Sequence, residues 1–267
     1  MGKLMRINMT DRSVTYEEAP EAYKELGGRG LTSTLIYDEV DPLCHPLGPN
    51  NKLVFGLGYV TGSAAPTSAR VSVGGKSPLT GGIKEANAGG QASQCLARLG
   101  YAAIVLEGSP KTDDLYKVLI KKDGVEILPD NSLRMMTIYD LVARMTKEYG
   151  DKISCISIGP AGEMKLSAAS IACTDPELRP TRHAGRGGVG AVMGSKRLKA
   201  IVVQGSQSVP MADEATLKEI KKKFTKQITS GVGSADFYRT SGTPGFIQVG
   251  VEMADSPTRN WAGVGPR

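Results

Sequence analysis

The stretch Ala184–Ser206, AGRGGVGAVMGSKRLKAIVVQGS, repeats the plan of an earlier stretch, Ala86–Ser109, ANAGGQASQCLARLGYAAIVLEGS. Each begins with a glycine-rich turn, continues with helical spacing and ends in an apolar β-type run closed by Gly-Ser. The glycine pairs of the two turns are 98 residues apart, and the closing Gly-Ser pairs are 97 apart. Upstream, VFGLGYVTG corresponds to ISIGPAGE, with Gly58 and Gly159 separated by 101. The sequence therefore predicts an internal duplication of roughly 100 residues, which is not a short-period repeat.

The composition is that of an ordinary globular protein. Of the 267 residues, 40% are hydrophobic and 22% are charged, enough for one large domain and part of a second. The net charge of +6 is spread along the chain and aromatic residues make up only 5%, so we do not expect nucleic-acid binding. We find no long apolar run and no signal peptide, so we expect no membrane association and a cytoplasmic location.

The four cysteines are 51, 60 and 18 residues apart, with no Cys-x-x-Cys pair. That spacing predicts neither a metal site nor a disulfide framework.

Local signals predict the elements of the first half. We expect a hairpin formed by Lys3–Met9 and Ser13–Glu17, followed by a helix at Thr32–Val40. A strand at Lys52–Leu57 and a second helix at Gln91–Leu99 are expected further along. Arg70 opens an alternating run in which it shares one face with Ser72. The following stretch, Lys76–Gly90, is so rich in glycine and turn residues that we expect no regular structure there.

The second half carries similar signals. Between the repeats we expect a hairpin around Asp123-Gly124 and a helix capped by Thr137 that ends before Gly150. We interpret these elements as connecting structure. Strands at Ile153–Ile158 and Ser167–Ala172, followed by a loop, then belong to the second repeat.

The glycine turns are candidate anion sites. Gly89 and Gly90 precede a predicted helix, where oriented N–H groups and the helix dipole favour an anion. The alternative is a tight turn that needs positive φ, and for this turn alone the alternative is favoured.

The second turn is the stronger candidate for an anion site, because Arg182 and Arg186 lie four residues apart beside Gly185 and Gly187. Arginine offers paired planar donors that match phosphate. A solvent-facing arginine pair is the alternative, but the repeated glycine context favours an anion site. We interpret His183 as a neutral side chain available for local hydrogen bonds.

Four motifs carry a family resemblance: ARVSVGGKSPLTG, EANAGG, SIGPAGE and AGRGGVGAVMGSKRLKAIVV. From about Leu4 to Pro210 the chain resembles the N-terminal domain of the tungsten-containing aldehyde:ferredoxin oxidoreductases. The resemblance implies an α+β fold, an internally duplicated base made largely of β-sheet with short helices, on which two molybdopterin-type ligands hold one tungsten atom. Residues 1–210 would form this pterin-cofactor-binding domain, and residues 211–267 the mostly helical start of a second, truncated domain.

The resemblance also implies site residues. Arg70, Asn87 and Gly89 stand where the family binds one pterin phosphate region, and the other is bound at Arg182, His183, Gly185 and Arg186. The neighbouring glycines of the two turns, Gly90 and Gly187, complete the cofactor-binding set. The family places a magnesium ion between the phosphates, held partly by backbone carbonyls at Asn87 and His183, and carbonyl oxygens suit such a hard cation. His183 is a departure, because the family more often has a small residue there.

By resemblance, the activity is oxidation of a small aldehyde to a carboxylic acid, with ferredoxin as electron acceptor. The family's Cys-x-x-Cys-x-x-x-Cys ligands for a [4Fe–4S] cluster do not occur in this chain. We therefore expect the cluster to be bound by the remainder of the enzyme or by a completing subunit, and this chain alone to be inactive. The alternative is a non-catalytic pterin carrier or assembly module. The aldehyde, the choice of tungsten or molybdenum and a homo-oligomeric state stay open.

Overall fold

The computed structural model describes residues 2–205, 209, 211–230, 234–257 and 259–262. The chain divides into two compact units, Met1–Met211 and Ala212–Arg267. The first unit contains two six-stranded sheets with short helices. The α+β fold expected from the resemblance is therefore confirmed.

The first sheet has the strand order β2-β1-β6-β3-β4-β5. Its strands are β1 Lys3–Asn8, β2 Ser13–Glu17, β3 Leu53–Leu57, β4 Arg70–Lys76, β5 Ile83–Gly89 and β6 Tyr101–Glu107. Helix α1 (Arg29–Glu39) follows the hairpin, and helix α2 (Ala92–Arg98) precedes the last strand. Strands β1 and β6 are parallel, and every other neighbouring pair is antiparallel.

The second sheet has the order β11-β10-β9-β12-β7-β8. Its strands are β7 Tyr116–Lys121, β8 Gly124–Pro129, β9 Ser154–Ser157, β10 Ile171–Cys173, β11 Arg182–Ala184 and β12 Leu198–Val203. Helices α3 (Ile138–Tyr149) and α5 (Val189–Ser195) occupy the places of α1 and α2, with the short α4 (Pro160–Glu163) added. Strands β7 and β12 are again parallel. Strand for strand, this sheet repeats the topology of the first.

The duplication predicted from the sequence is thus confirmed, but its extent was underestimated. The hairpin and helix at residues 116–149, interpreted above as connecting structure, form the first part of the second repeat. That interpretation was wrong because these elements match β1, β2 and α1 in topology and not in sequence signature.

The packing follows the alternation of each strand. Met5 and Ile7 of β1 join a central core that contains residues of both sheets, α2 and α5. Leu4, on the other face, packs with Leu31 and Leu35 of α1. Helix α3 covers the outer face of the second sheet in the same way. The two sheets therefore share one core and each carries one outer helix.

The helix expected after Thr137 is confirmed at both ends. The Thr137 hydroxyl accepts a hydrogen bond from the Asp140 N–H, and Gly150 has a φ of 85°.

The expectation that Lys76–Gly90 lacks regular structure was wrong. Strand β4 extends to Lys76, and Ile83–Gly89 forms β5 at the edge of the sheet. An edge strand has one partner only, so its polar and glycine residues need not follow the pattern of a buried strand. The loop expected at Thr174–Arg182 ends where the short strand β11 begins, at Arg182.

The second unit consists of helices α6 (Glu214–Ile228), α7 (Ser234–Ser241) and α8 (Ile247–Glu252). Asp213 caps α6, because its carboxylate accepts a 2.8 Å hydrogen bond from the Thr216 N–H. The apolar residues Ile220 and Phe224 of this helix are exposed. Among the described residues, no helix is both long enough and apolar enough to cross a membrane.

Candidate functional site

The two repeats meet at the edge strands β5 and β11, which occupy equivalent ends of the two sheets and pack against each other. Two clefts open along this seam. The first cleft, of about 520 Å³, is lined by Arg70, Asn87 and Gly89 of the first repeat and by Arg182 and His183 of the second, among others. Both glycine turns of the predicted site therefore lie near one seam, and Arg70 and Arg182 share one cleft.

The second cleft, of about 680 Å³, contains a different pair of arginines. Its lining includes Arg29, Ser72 and Glu85 from the first repeat and Gly185 and Arg186 from the second. The two clefts have a common wall, because Asn87 and His183 line both of them. The structure therefore separates Arg182 from Arg186, which the resemblance assigns to the same phosphate.

Arg70 is held in place by a network across the β4–β5 ladder. It lies opposite Gly89 in the register, and Ser72 lies opposite Asn87. The Arg70 Nη1 donates a 2.7 Å hydrogen bond to Asn87 Oδ1, and Asn87 Nδ2 donates a 3.1 Å hydrogen bond to Ser72 Oγ. These bonds use only part of the guanidinium, which has five N–H donors. The remaining donors are available to a ligand.

The four cleft arginines have no acidic partner among the described residues. All are exposed, and none forms a salt bridge with an acidic side chain of the described residues: Arg29, Arg70, Arg182 and Arg186. By contrast, Arg6 and Arg179 are both paired with carboxylates. Guanidinium groups that line one cleft without acidic partners favour an anion that presents pairs of oxygen atoms, such as a carboxylate or a phosphate.

The acidic residue of the first cleft does not cancel this charge. Asp175 is buried and already holds Arg179, whose Nε donates to its carboxylate at 2.9 Å. Burial of Asp175 opposes ionisation, but hydrogen bonds from the backbone and side chain of Arg179 outweigh it and hold the carboxyl pKa below its usual range. Asp175 is therefore a paired anion that orders the loop, and the cleft keeps its positive charge.

The site glycines fall into two groups. Gly90 and Gly187 have φ values of 118° and 68°. A Cβ at Gly90 would lie 2.6 Å from the Thr174 carbonyl oxygen, and one at Gly187 would overlap the side chain of Lys84. Both contacts cross between the repeats, so packing alone requires these two glycines. Gly187 lines neither cleft.

Gly89 and Gly185 are different. Neither has positive φ. A Cβ at Gly89 would approach no heavy atom closer than 3.9 Å, and one at Gly185 would meet nothing within 4 Å. The protein itself therefore does not require glycine at either position. Room beside the backbone is what a bound anionic group needs, and both residues line a cleft.

Some backbone N–H groups at the two glycine turns donate hydrogen bonds within the protein and are not free for a ligand. Helices α2 and α5 have only seven residues each. The Gln91 N–H donates to the Thr174 carbonyl at 2.9 Å, and the Gly190 N–H donates to the Ala169 carbonyl at 3.0 Å. The arginine side chains, more than the helix ends, therefore offer free donors at the seam.

His183 makes the local hydrogen bond expected of it. Its Nδ1 lies 3.0 Å from Ser170 Oγ. The side chains of the described residues include no group of three or more His, Cys, Asp or Glu that could hold a metal. A cation on the wall between the clefts would depend on backbone carbonyls, such as those of Asn87 and His183, and on oxygen atoms of the ligand.

The buried thiols take no part in the seam. Burial raises the pKa of Cys155 and of Cys173 to about 12, with the neighbouring Cys155 thiol adding to the rise for Cys173. Both are therefore neutral thiols in the core.

Sequence reasoning missed Arg29, which precedes the other site residues by a long stretch of chain. A signal was available. The tripeptide Gly-Arg-Gly occurs twice in the sequence, at residues 28–30 and 185–187. Each copy supplies one arginine to the second cleft.

Comparisons with known proteins agree with this architecture. Residues 4–205 match the family model described as aldehyde ferredoxin oxidoreductase, N-terminal domain. The tungsten-containing aldehyde ferredoxin oxidoreductases of Pyrococcus furiosus and Thermococcus kodakarensis are 38% and 39% identical over 263 residues, 97% of this chain and 42% of each relative. The chain therefore spans about two fifths of the length of the curated relatives it matches.

Two further proteins are similar over most of the chain. An aliphatic sulfonate oxidoreductase, WOR-like subunit, of Pyrococcus furiosus is 30% identical over 281 residues, 97% of this chain and 43% of that protein. The solved structure of the active site complex BamBC of benzoyl coenzyme A reductase, with 1,5 dienoyl-CoA, superposes with a TM-score of 0.80. The two sequences are 28% identical, and the match covers 86% of this chain and 34% of the matched chain of that structure.

Proposed function

The chain belongs to the aldehyde ferredoxin oxidoreductase family, as its N-terminal domain, and on that premise we propose that it binds a tungsten or molybdenum bis-pterin cofactor. The whole protein is an oxidoreductase that converts aldehydes to carboxylic acids with ferredoxin as electron acceptor. The observation that carries the proposal is the set of four arginines without acidic partners, among the described residues, at two clefts on the seam between duplicated sheets.

The residues fit the proposed group. A pterin cofactor of this type carries a phosphate, and two such ligands around one metal present two phosphates. Each cleft offers two guanidiniums, and a charge-assisted hydrogen bond to phosphate is roughly twice as strong as a neutral one. Gly89 and Gly185 leave open space beside the backbone where a side chain would otherwise project.

When bound, the cofactor supplies the oxygen-transfer and two-electron chemistry, while the protein supplies position and electrostatics. In this chain, Arg70 and Arg182 bind and orient one anionic group, and Arg186 binds another. The backbone carbonyls of Asn87 and His183 are the groups that would hold a magnesium ion. We place the [4Fe–4S] cluster outside this chain, since none of the described side chains forms a suitable ligand group.

The names of the relatives support separate roles for this domain, which holds the cofactor, and for the rest of each protein, which selects the substrate. These names refer to an aldehyde, an aliphatic sulfonate and benzoyl coenzyme A, yet all three proteins are similar to this one domain. A domain common to such different reactions is suited to hold the metal cofactor, while other parts of each protein select the substrate. The relatives at 38% and 39% identity are the aldehyde enzymes, which favours an aldehyde.

A non-catalytic pterin carrier or assembly module is the second candidate. It is favoured by one observation: no side-chain group in the described part of the chain could ligate an iron–sulfur cluster, the redox partner that an enzyme needs. A carrier would release its cofactor to a second protein, whereas part of an enzyme would retain it through turnover.

The test is anaerobic purification from a host supplied with tungstate or molybdate. We expect about two pterins per metal atom, measured as oxidised pterin fluorescence and by elemental mass spectrometry. Arg70→Ala with Arg182→Ala should abolish both signals. A parent protein without pterin, or a double variant with undiminished pterin, would contradict the proposal. Transfer of pterin to a second protein would favour the carrier.

A further inference from the structure

A third cleft, of about 510 Å³, opens in the first repeat, at the end of the sheet where β1 and β6 begin. Apolar side chains form much of its wall, among them Leu57, Tyr59, Ala97, Ala102 and Val209. This cleft shares no lining residue with either cleft on the seam. A concave apolar wall with a few polar groups is the usual form of a small-molecule site.

Arg98, the last residue of α2, is the polar group that gives this cleft its chemistry. The residue is half-buried, and its Nε donates a 3.2 Å hydrogen bond to the Gly62 carbonyl oxygen. A guanidinium has five N–H donors, so this bond leaves those of the two terminal nitrogens unused. No acidic side chain in the described part of the chain forms a salt bridge with Arg98. Arg98 is therefore a fixed cation with donors to offer.

The acidic residue of the lining, Glu18, does not neutralise this cation. Its carboxylate lies 3.7 Å from the Nζ of Lys3, which also lines the cleft, and both side chains are exposed. The lining thus carries two cations and one anion. Because Glu18 is paired with Lys3, the positive charge that remains is that of Arg98.

The loop after β3 forms one wall of the cleft and is held in shape by the protein itself. The Thr61 hydroxyl donates to the Ser68 carbonyl at 3.0 Å and accepts from the Gly58 N–H at 3.2 Å. Gly62 has a φ of 91°, and a Cβ there would lie 2.5 Å from Cγ2 of Val209. The wall is therefore formed before a ligand arrives, which lowers the entropic cost of binding.

The second repeat shows the interaction that the first repeat lacks. Gly100 and Arg197 are equivalent residues, because the carbonyl of each accepts a 2.9 Å hydrogen bond from the N–H of the residue that begins β1 or β7. The Arg197 guanidinium donates to the carboxylate of Asp113. A Cβ at Gly100, by contrast, would meet nothing within 4 Å. The second repeat thus has an arginine–carboxylate pair at this corner, whereas the first has an arginine, Arg98, and open space.

We propose that the third cleft binds a small carboxylate with an apolar body. The carboxylate oxygens pair with the terminal nitrogens of Arg98, since a guanidinium matches a carboxylate through two parallel hydrogen bonds. The apolar body packs against Leu57, Tyr59 and Val209. This inference does not depend on the proposed function, because no residue that carries it belongs to the seam.

The experiment titrates benzoate into the purified 267-residue chain and follows binding by isothermal titration calorimetry. Benzamide keeps the ring without the charge, and acetate keeps the charge without the ring. We expect saturable binding of benzoate, roughly tenfold or more tighter than binding of either control compound. Absence of saturable benzoate binding, or benzamide bound as tightly as benzoate, would overturn the inference.

Variants locate the binding. Arg98→Gln should weaken benzoate binding roughly tenfold to a hundredfold. The control is Arg12→Gln, because Arg12 is exposed and lines none of the three clefts. A double variant, Arg182→Gln with Arg186→Gln, removes one arginine from each seam cleft and should leave benzoate affinity unchanged. Loss of binding in this double variant, with none in Arg98→Gln, would show that benzoate occupies the seam and would overturn the site.

Folding is followed separately, by the thermal midpoint of each variant. If Arg98→Gln lowers the midpoint, Tyr59→Ala decides, because Tyr59 is an exposed part of the apolar wall and the hydrogen bond from Arg98 to Gly62 stays intact. We expect Tyr59→Ala to weaken benzoate binding severalfold at an unchanged midpoint. Affinity equal to that of the parent would contradict the site.

Discussion

Lys196 of the second repeat donates a 2.6 Å hydrogen bond from its Nζ to the backbone carbonyl oxygen of Asn51 in the first repeat. The same Nζ donates to the Gly108 carbonyl at 2.9 Å. The side chain is completely buried. No carboxylate in the described part of the chain lies within salt-bridge distance of it. Burial lowers the pKa of Lys196 to about 7, although Glu107 acts in the opposite direction. A titratable group therefore links the two repeats.

This lysine predicts a pH-dependent stability. Unfolded lysine holds its proton up to about pH 10.4, so between about pH 7 and that value the unfolded state binds more protons. The free energy of unfolding therefore rises with pH in this window, by at most ~1.4 kcal/mol per unit. Lys196→Met removes this pH dependence. The free energy of unfolding of the parent, minus that of the variant, should therefore increase as the pH rises. Urea unfolding across this range measures it.

An exposed lysine, Lys218, serves as the control, because Lys218→Met should leave the pH profile unchanged. Parallel profiles for the parent and Lys196→Met would show that the buried ammonium does not titrate with folding.

Arg182→Ala should separate folding from binding. The residue is exposed at the start of β11, outside the core, so we expect the thermal midpoint of the cofactor-free protein to stay within a few degrees. Loss of a charge-assisted contact with phosphate should lower affinity roughly tenfold to a hundredfold. Pterin and metal content after anaerobic purification provide the measurement. Equal content in variant and parent would identify Arg182 as a surface arginine without a ligand.

Gly185→Ala and Gly187→Val should fail in different ways. A methyl group at Gly185 meets no protein atom, so the fold should be unaffected while cofactor retention falls. At Gly187 the φ of 68° and the overlap with Lys84 oppose any side chain. Strain of about 1–3 kcal/mol should lower the thermal midpoint by several degrees. A lower midpoint in Gly185→Ala, or an unchanged one in Gly187→Val, would contradict the distinction between these glycines.

The 267-residue chain by itself should not oxidise aldehydes with a ferredoxin or viologen acceptor. No described side-chain group can hold an iron–sulfur cluster, so the electrons have no route out of the site. The assay is anaerobic viologen reduction by the cofactor-loaded chain, with free cofactor as the control. Turnover above that control would refute the prediction.

The features predicted correctly from the sequence are those that depend on neighbouring residues or that occur in both repeats. Thr137 and Gly150 bound their helix through capping, which depends on neighbouring residues alone. The arginine and glycine turns were found because the chain repeats them. Arg29 was missed because only the fold brings α1 to the seam, and β5 was missed because an edge strand lacks a buried pattern. Long-range placement of this kind has no signature within a short window.

The shared seam has a consequence for how such a protein could arise. Each cleft on the seam is lined by one arginine from each repeat. A single repeat would therefore form only one side of each cleft. In evolutionary terms, an ancestor with one copy could bind anions in this way only as a symmetric homodimer, through the edge that is now β5 and β11. Fusion of two such copies into one chain would free the two halves to diverge. Arg70 begins β4 whereas Arg186 follows β11, and such unequal positions are what two diverged copies would show.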